Sequence, residues 1–316
     1  MPPVDDETYT LASRGAATAS DGWLQAMETS SEEEGYLEPL GDRHWAFFLD
    51  DSTTLLVTFE SAVDIRARPG NMPSGYHIAV ARRWSHLCII AEGPTWYRDR
   101  RVYGYFDRLV DDAFLEDFDR VVFYGAGGMA GYAAATFSVT APGASVIAVA
   151  PRATMDAEIA SWDDRNPETR RMIFTDRYGF APDMTEGAGQ VFVICDPHHA
   201  PDAMHATLFA RPHVTRFSMR QTGPATATIV EATGMAETLL DAAMAGKLDR
   251  PAFDRIWRAA RRGHAPYLLA LRDENAAQGR AVRAACLDRY GVLRRKSAGG
   301  ALLSAAPANN DNRPKD

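Results

Sequence analysis

Residues 120–135 read RVVFYGAGGMAGYAAA, and this stretch constrains the fold more than any other. A short apolar run, Val121–Tyr124, meets a glycine-packed turn, Gly125–Gly128, and an alanine-rich segment follows from Met129 to about Thr136. The pattern predicts strand, sharp turn and helix. Glycines at 125, 127 and 128 permit positive φ and let a backbone or a ligand come close. The helix start beyond them offers unpaired N–H groups and a positive dipole end.

The chain of 316 residues is long enough to bury one large core or two modest ones. A formal net charge of −8 argues against general binding to nucleic acid or an anionic membrane. MPPVDDETYT at the N-terminus has neither a basic nor an apolar region, so a cytoplasmic location is expected. Cys88, Cys195 and Cys286 are scattered and odd in number, with no C-x-x-C, so neither a disulfide framework nor a thiolate metal site is indicated. Cys88 and Cys195 sit inside apolar runs and read as core residues.

Residues 1–20 are small and polar, and a disordered N-terminus is expected there. A first helix is predicted over Gly22–Thr29. Strands are predicted over His44–Leu49, Thr54–Phe59, His86–Ala91, Ala144–Ala150, Gln190–Cys195 and Val214–Ser218. Pro69–Ser74 reads as a loop and Tyr103–Asp117 as an amphipathic helix. Continuous apolar strands alternating with helices predict a mostly parallel sheet covered on both faces. This α/β domain is assigned to residues 21–234, with a lid-like insertion at about 151–189. Four helical segments and no strand follow, giving a helical C-terminal extension over 235–295 and a disordered tail over 296–316.

Two chemistries use a strand–turn–helix of this kind. In α/β-hydrolases the turn carries G-x-S-x-G and presents a serine above the sheet. Aligned to the S-M-G-G-Y-A-A form of that elbow, the serine position falls on Gly128, or alternatively Gly127, with the turn one residue longer than usual. No nucleophile is present. Asp196, directly after QVFVIC, occupies the acid position, and a turn-initiating Asp-Pro is the equally simple alternative. The histidine position after Val214–Ser218 holds Arg220–Thr226 and no histidine. His198 and His199 are the substitutes nearest Asp196, although surface-loop histidines would look the same. Oxyanion donors would come from backbone amides near Phe59 and Glu60. The candidate ligand-binding residues are therefore Gly125, Gly127, Gly128, Met129, Phe59 and Glu60.

The second chemistry is dinucleotide binding. Gly125-x-Gly127-x-x-Ala130 fits the G-x-G-x-x-G/A spacing, but the next strand ends in Pro151–Arg152 where an acidic residue is expected. An arginine there could meet a 2′-phosphate. The motif also lies several strands into the chain, which suits a hydrolase sheet better. His198 and His199 with Asp196 and Asp202 lack a distant third ligand, so no metal is expected. Arg165, Arg170, Arg171 and Arg177, with Trp162 and Tyr178, could face an anion or merely solvent.

The segments GYLEPLG (35–41), TLLVTFE (54–60), SGYHIA (74–79), WSHLCIIA (84–91), 102–146, RYGFAPDM (177–184) and DAMHATLFARPHVT (202–215) resemble a Rhodobacter-type alphaproteobacterial family over about residues 35–290. Its members often carry the label phosphoadenosine phosphosulfate reductase. The resemblance implies glycine where hydrolases have serine, in G-A-G-M-G-G-Y form. It also implies G-A-H at the last loop, where this chain has Gly223–Pro224–Ala225. The label itself would need an S-G-G-x-D-S loop and a cysteine in E-C-G-x-H. Cys286 sits instead in AACLDRYG.

The sequence thus predicts an α/β-hydrolase-like fold with a degenerate nucleophile elbow and no recognisable Ser-His-Asp triad. It predicts a small-molecule or protein partner at the elbow, and no cofactor, nucleic acid or membrane partner. Hydrolysis through an unrecognised nucleophile, and nucleotide-dependent oxidoreduction, are the alternatives.

Overall fold

The computed structural model describes residues 22–291 apart from residue 33, so the segments 1–20 and 296–316 lie outside the described residues. The apolar runs form one eight-stranded sheet. Its strands are β1 (Gly35–Pro39), β2 (His44–Leu49), β3 (Thr54–Ser61), β4 (Ser85–Ala91), β5 (Arg120–Ala126), β6 (Ser145–Val149), β7 (Gln190–Cys195) and β8 (Val214–Ser218). They are ordered β1-β2-β4-β3-β5-β6-β7-β8. β2 runs antiparallel to both neighbours, and every other pairing is parallel. This order with a reversed second strand is that of the α/β-hydrolase fold.

The helices are α1 (Gly22–Ser31), α2 (Ala62–Ala67), α3 (Ser74–Arg82), α4 (Arg100–Asp111), α5 (Gly128–Phe137), α6 (Ala157–Ala160), α7 (Ala181–Met184), α8 (Ala200–Leu208), α9 (Thr226–Ala232), α10 (Met235–Met244), α11 (Arg250–Gly263) and α12 (Ala265–Ala277). A further helical stretch covers 281–291. On one face of the sheet Phe59, Phe106 and Phe137 stack, with centroids 4.3 Å apart for the last two. On the other face Phe192, Phe217 and Phe253 form a second stack. Leu239, Leu240, Phe253 and Trp257 of α10 and α11 share one core with Leu56, Val122, Ile147 and Ile194. The C-terminal helices therefore cover the sheet.

The predicted helix Tyr103–Asp117 is broken. α4 stops at Asp111, Ala113 turns left-handed at φ 55°, and Phe114–Asp117 continues as a 3₁₀ turn. The predicted loop Pro69–Ser74 is a 3₁₀ turn over Pro69–Asn71 leading into α3. β1 was not predicted, because a five-residue edge strand needs only one partner and little apolar character.

Segment 151–189 carries only short helices, yet Ala153, Met155, Phe174, Tyr178 and Ala181 belong to the main core. Arg98 ties it down from the loop before α4. Its guanidinium donates to Ile173 O at 2.5 Å and to Tyr132 Oη at 2.7 Å, pairs with Asp176, and lies over the Phe174 ring.

Candidate functional site: the turn after the fifth strand

β5 keeps its ladder through the glycines, with Gly125 opposite Ala148 and Ala126 opposite Val149. The turn is then a single residue, Gly127, at φ 99° and ψ 168°, and Gly128 already begins α5. The apex of the turn is thus Gly127, the second of the two positions considered from the sequence.

Each glycine has its own reason. A Cβ on Gly125 would lie 2.0 Å from the carbonyl oxygen of Ala130, so α5 could not settle on the strand. A Cβ on Gly128 would press on Arg152, whereas one on Gly127 would meet nothing within 4 Å. The apex therefore faces open space but adopts a conformation essentially reserved for glycine.

That space is a cleft of about 210 Å³ at the carboxyl ends of β3 and β5. β3 and β5 are paired only as far as Thr58 and Tyr124, and β3 then continues alongside β4 to Ser61. A crevice at this point, where the strand order reverses, is where open α/β sheets bind ligands.

The predicted residues divide. Gly125, Gly127, Gly128, Met129, Phe59 and Glu60 all line the cleft. The Phe59 ring is packed in the aromatic core, and Met129 Sδ accepts the Trp96 amide at 3.2 Å. The Glu60 carboxylate is already engaged. It receives Arg68 at 2.5 Å, the amides of Ser74 and Gly75 at 2.9 and 3.1 Å, and the Ser74 hydroxyl at 3.1 Å. It thus caps α3.

Asp196 is buried at the end of β7, but its carboxylate accepts backbone amides. Gly223 donates to Oδ2 at 2.8 Å and His198 to Oδ1 at 2.9 Å. His198 does not complete a dyad: its side chain is 58% exposed, with Nδ1 3.9 Å from Asp196. His199 turns the other way, with Nδ1 2.9 Å from Asp202 but off the hydrogen-bonding line. Neither histidine stands in for the missing base.

The imidazoles that do reach a hydroxyl reach threonines: His44 to Thr95, His86 to Thr58 and His213 to Thr185. Thr58 lies on the cleft wall and its Oγ1 is 2.8 Å from His86 Nε2. Full burial pushes His86 down to about 3, and its Nδ1 has no partner among the described residues, so no acid orients it. Ser61, also on the wall, is the N-cap of α2 and accepts the Val63 amide at 3.2 Å. Burial raises the thiols of Cys88 and Cys195, the latter to about 11, which leaves both as poor nucleophiles.

A polar cluster missed in the sequence lies beside the turn. Asp163 and Asp202 receive Arg152 and Arg165, and His205 bridges the amide of Ala153 at 3.1 Å to Asp163 at 2.9 Å. Arg152, the candidate for a 2′-phosphate, is thereby committed to carboxylates. Arg165 is in the same cluster and Arg177 pairs with Asp107. The spacing Asp163-x-Arg165 was the available signal; two of its partners, Asp202 and His205, lie 37 residues from Arg165 and 42 from Asp163. Among the described residues no group of three or more metal-ligating side chains is placed to hold an ion, and no helix is long and apolar enough to cross a membrane.

No family model matches the chain, and no curated protein matches it. Solved structures that it resembles include the esterase domain from a Rhodothermus marinus protein, at 13% identity over 67% of this chain and 96% of that one, with a TM-score of 0.42. Est1E from Butyrivibrio proteoclasticus follows at 8% identity, 68% and 100% coverage and a TM-score of 0.41. MenH from S. aureus stands at 11% identity, 65% and 99% coverage and a TM-score of 0.40.

Proposed function

We propose that this α/β-hydrolase-like protein binds a small molecule in the cleft above Gly127 without hydrolysing it. One observation carries the reading: the apex of the elbow is Gly127, which has no side chain to act as a nucleophile. Supporting it, the carboxylate at the acid position holds the backbone of the loop where a histidine would stand. Covalent acyl transfer needs a nucleophile and a base in hydrogen-bond contact, and the apex offers neither.

The test is a serine-directed fluorophosphonate probe together with p-nitrophenyl acetate turnover. The expected result is neither labelling nor turnover above background; stoichiometric labelling of one serine overturns the reading. A thermal shift with NADPH or phosphoadenosine phosphosulfate would favour the nucleotide alternative instead.

A second reading, hydrolysis through an unrecognised nucleophile, draws on the Thr58–His86 contact at the cleft wall. It predicts turnover that a Thr58→Val variant abolishes.

A further inference from the structure

The cleft is unequal in charge and contains one unsatisfied group. Its lining includes the carboxylates of Glu60, Asp64 and Glu231 against the guanidinium of Arg68. Arg68 is already spent on Glu60, at 2.5 Å. Asp64 on α2 and Glu231 on α9 are exposed and flank the opening from two different helices. Beneath them Tyr124 is 6% exposed, and its hydroxyl has no hydrogen-bond partner among the described residues. A buried polar group without a partner is costly to the fold, and a bound donor or acceptor removes that cost.

Accepting the non-catalytic reading of this site, we infer that the cleft takes a small ligand with an ammonium or guanidinium group, held against Glu231 and Asp64 and donating to the Tyr124 hydroxyl. Partial burial raises the Glu231 carboxyl; Arg68 opposes this, and Glu60 and Asp64 add smaller upward pushes. The lining sets three carboxylates against one guanidinium, an excess of negative charge that a bound cation relieves. The amides of Gly128 and Met129 at the start of α5 present the opposite sign at the turn, which leaves the rim as the place for positive charge. The volume of about 210 Å³ is below that of drug-sized pockets, so the ligand or its inserted head is small.

The experiment titrates the full chain with butylammonium, and with 1-butanol and butyrate as neutral and anionic counterparts of similar shape. Butylammonium is expected to bind and raise the melting temperature, with the other two giving smaller shifts. Glu231→Gln, at an exposed position, should weaken butylammonium about tenfold at unchanged stability. Tyr124→Phe should also weaken it without loss of melting temperature, since the hydroxyl it removes satisfies no one. Equal shifts, no shift, a preference for butyrate, or undiminished binding by Glu231→Gln each overturn the inference. Any of these leaves the non-catalytic reading standing, because that reading fails on fluorophosphonate labelling and turnover instead.

Discussion

Asp196 Oδ2 accepts the backbone amide of Gly223 at 2.8 Å, so the residue after β7 fastens the loop after β8. Its other oxygen takes the amide of His198, closing its own turn. A charged acceptor shared by two amides is worth more than a neutral contact. Asp196→Ala should therefore lower the unfolding free energy by about 2–3 kcal/mol in urea denaturation, and Asp196→Asn by less, because an amide oxygen keeps one of the two bonds. Equal stability of Asp196→Ala and the parent would contradict the loop-fastening role.

Gly125 and Gly127 are two residues apart and should respond differently to alanine. Gly125→Ala drives a Cβ into the backbone of Ala130 and should cost about 3 kcal/mol or more, or prevent folding. Gly127→Ala meets no neighbour and should cost about 1–3 kcal/mol from its dihedral angles alone. Soluble yield and chemical denaturation of the two variants measure the difference; a reversed order would misplace the apex.

Gly127→Ser restores the hydroxyl of an esterase elbow and should stay inactive towards p-nitrophenyl acetate. The His198 side chain is 58% exposed and the loop at Gly223 carries no imidazole, so neither position offers a base to take the proton. Fluorophosphonate labelling of this variant at Ser would reveal a base that the side-chain positions do not supply.

Burial depresses His86 to about 3 and His44 to about 4, the latter opposed by Asp99 at 4.0 Å. In the unfolded chain each titrates at about 6.5. Between these values the unfolded chain takes protons that the native state refuses, so stability falls as pH falls. By pH 5 each should have lost about 2 kcal/mol relative to neutral pH. Urea midpoints from pH 7 to pH 5 test this, and His86→Gln should make the decline shallower.

Arg98 is buried to 4% and holds segment 151–189 through Ile173, Asp176 and Tyr132. Arg98→Ala leaves those acceptors unmatched and should raise amide exchange across residues 160–178 selectively. Uniform exchange rates in the variant and parent would show that apolar packing alone secures the segment.

The strands were legible because β3 to β7 are buried on both faces, which writes near-continuous apolar runs such as VVFY and VFVIC. β1 was not, because an edge strand that includes Glu38 and Pro39 carries no such run. α4 was read too long because Tyr103 to Phe114 keeps one apolar face across a break set by a single left-handed residue, Ala113. At the site, the glycine-only turn and the placement of Asp196 directly after a strand could be read from local order in the chain. The exact apex could not, since two consecutive glycines fit either register until a ladder partner decides. The Arg152, Asp163, Arg165, Asp202 and His205 cluster was hidden for another reason: a buried ionic network is defined by contacts distant in sequence.

The crevice at Gly127 lies where the chain leaves β3 for β4 on one side and β5 for β6 on the other. Its rim acids, Asp64 and Glu231, stand on short helices at the periphery. The charge presented at the mouth of the crevice can thus be changed at two solvent-facing positions while the folding information, invested in the sheet, stays untouched.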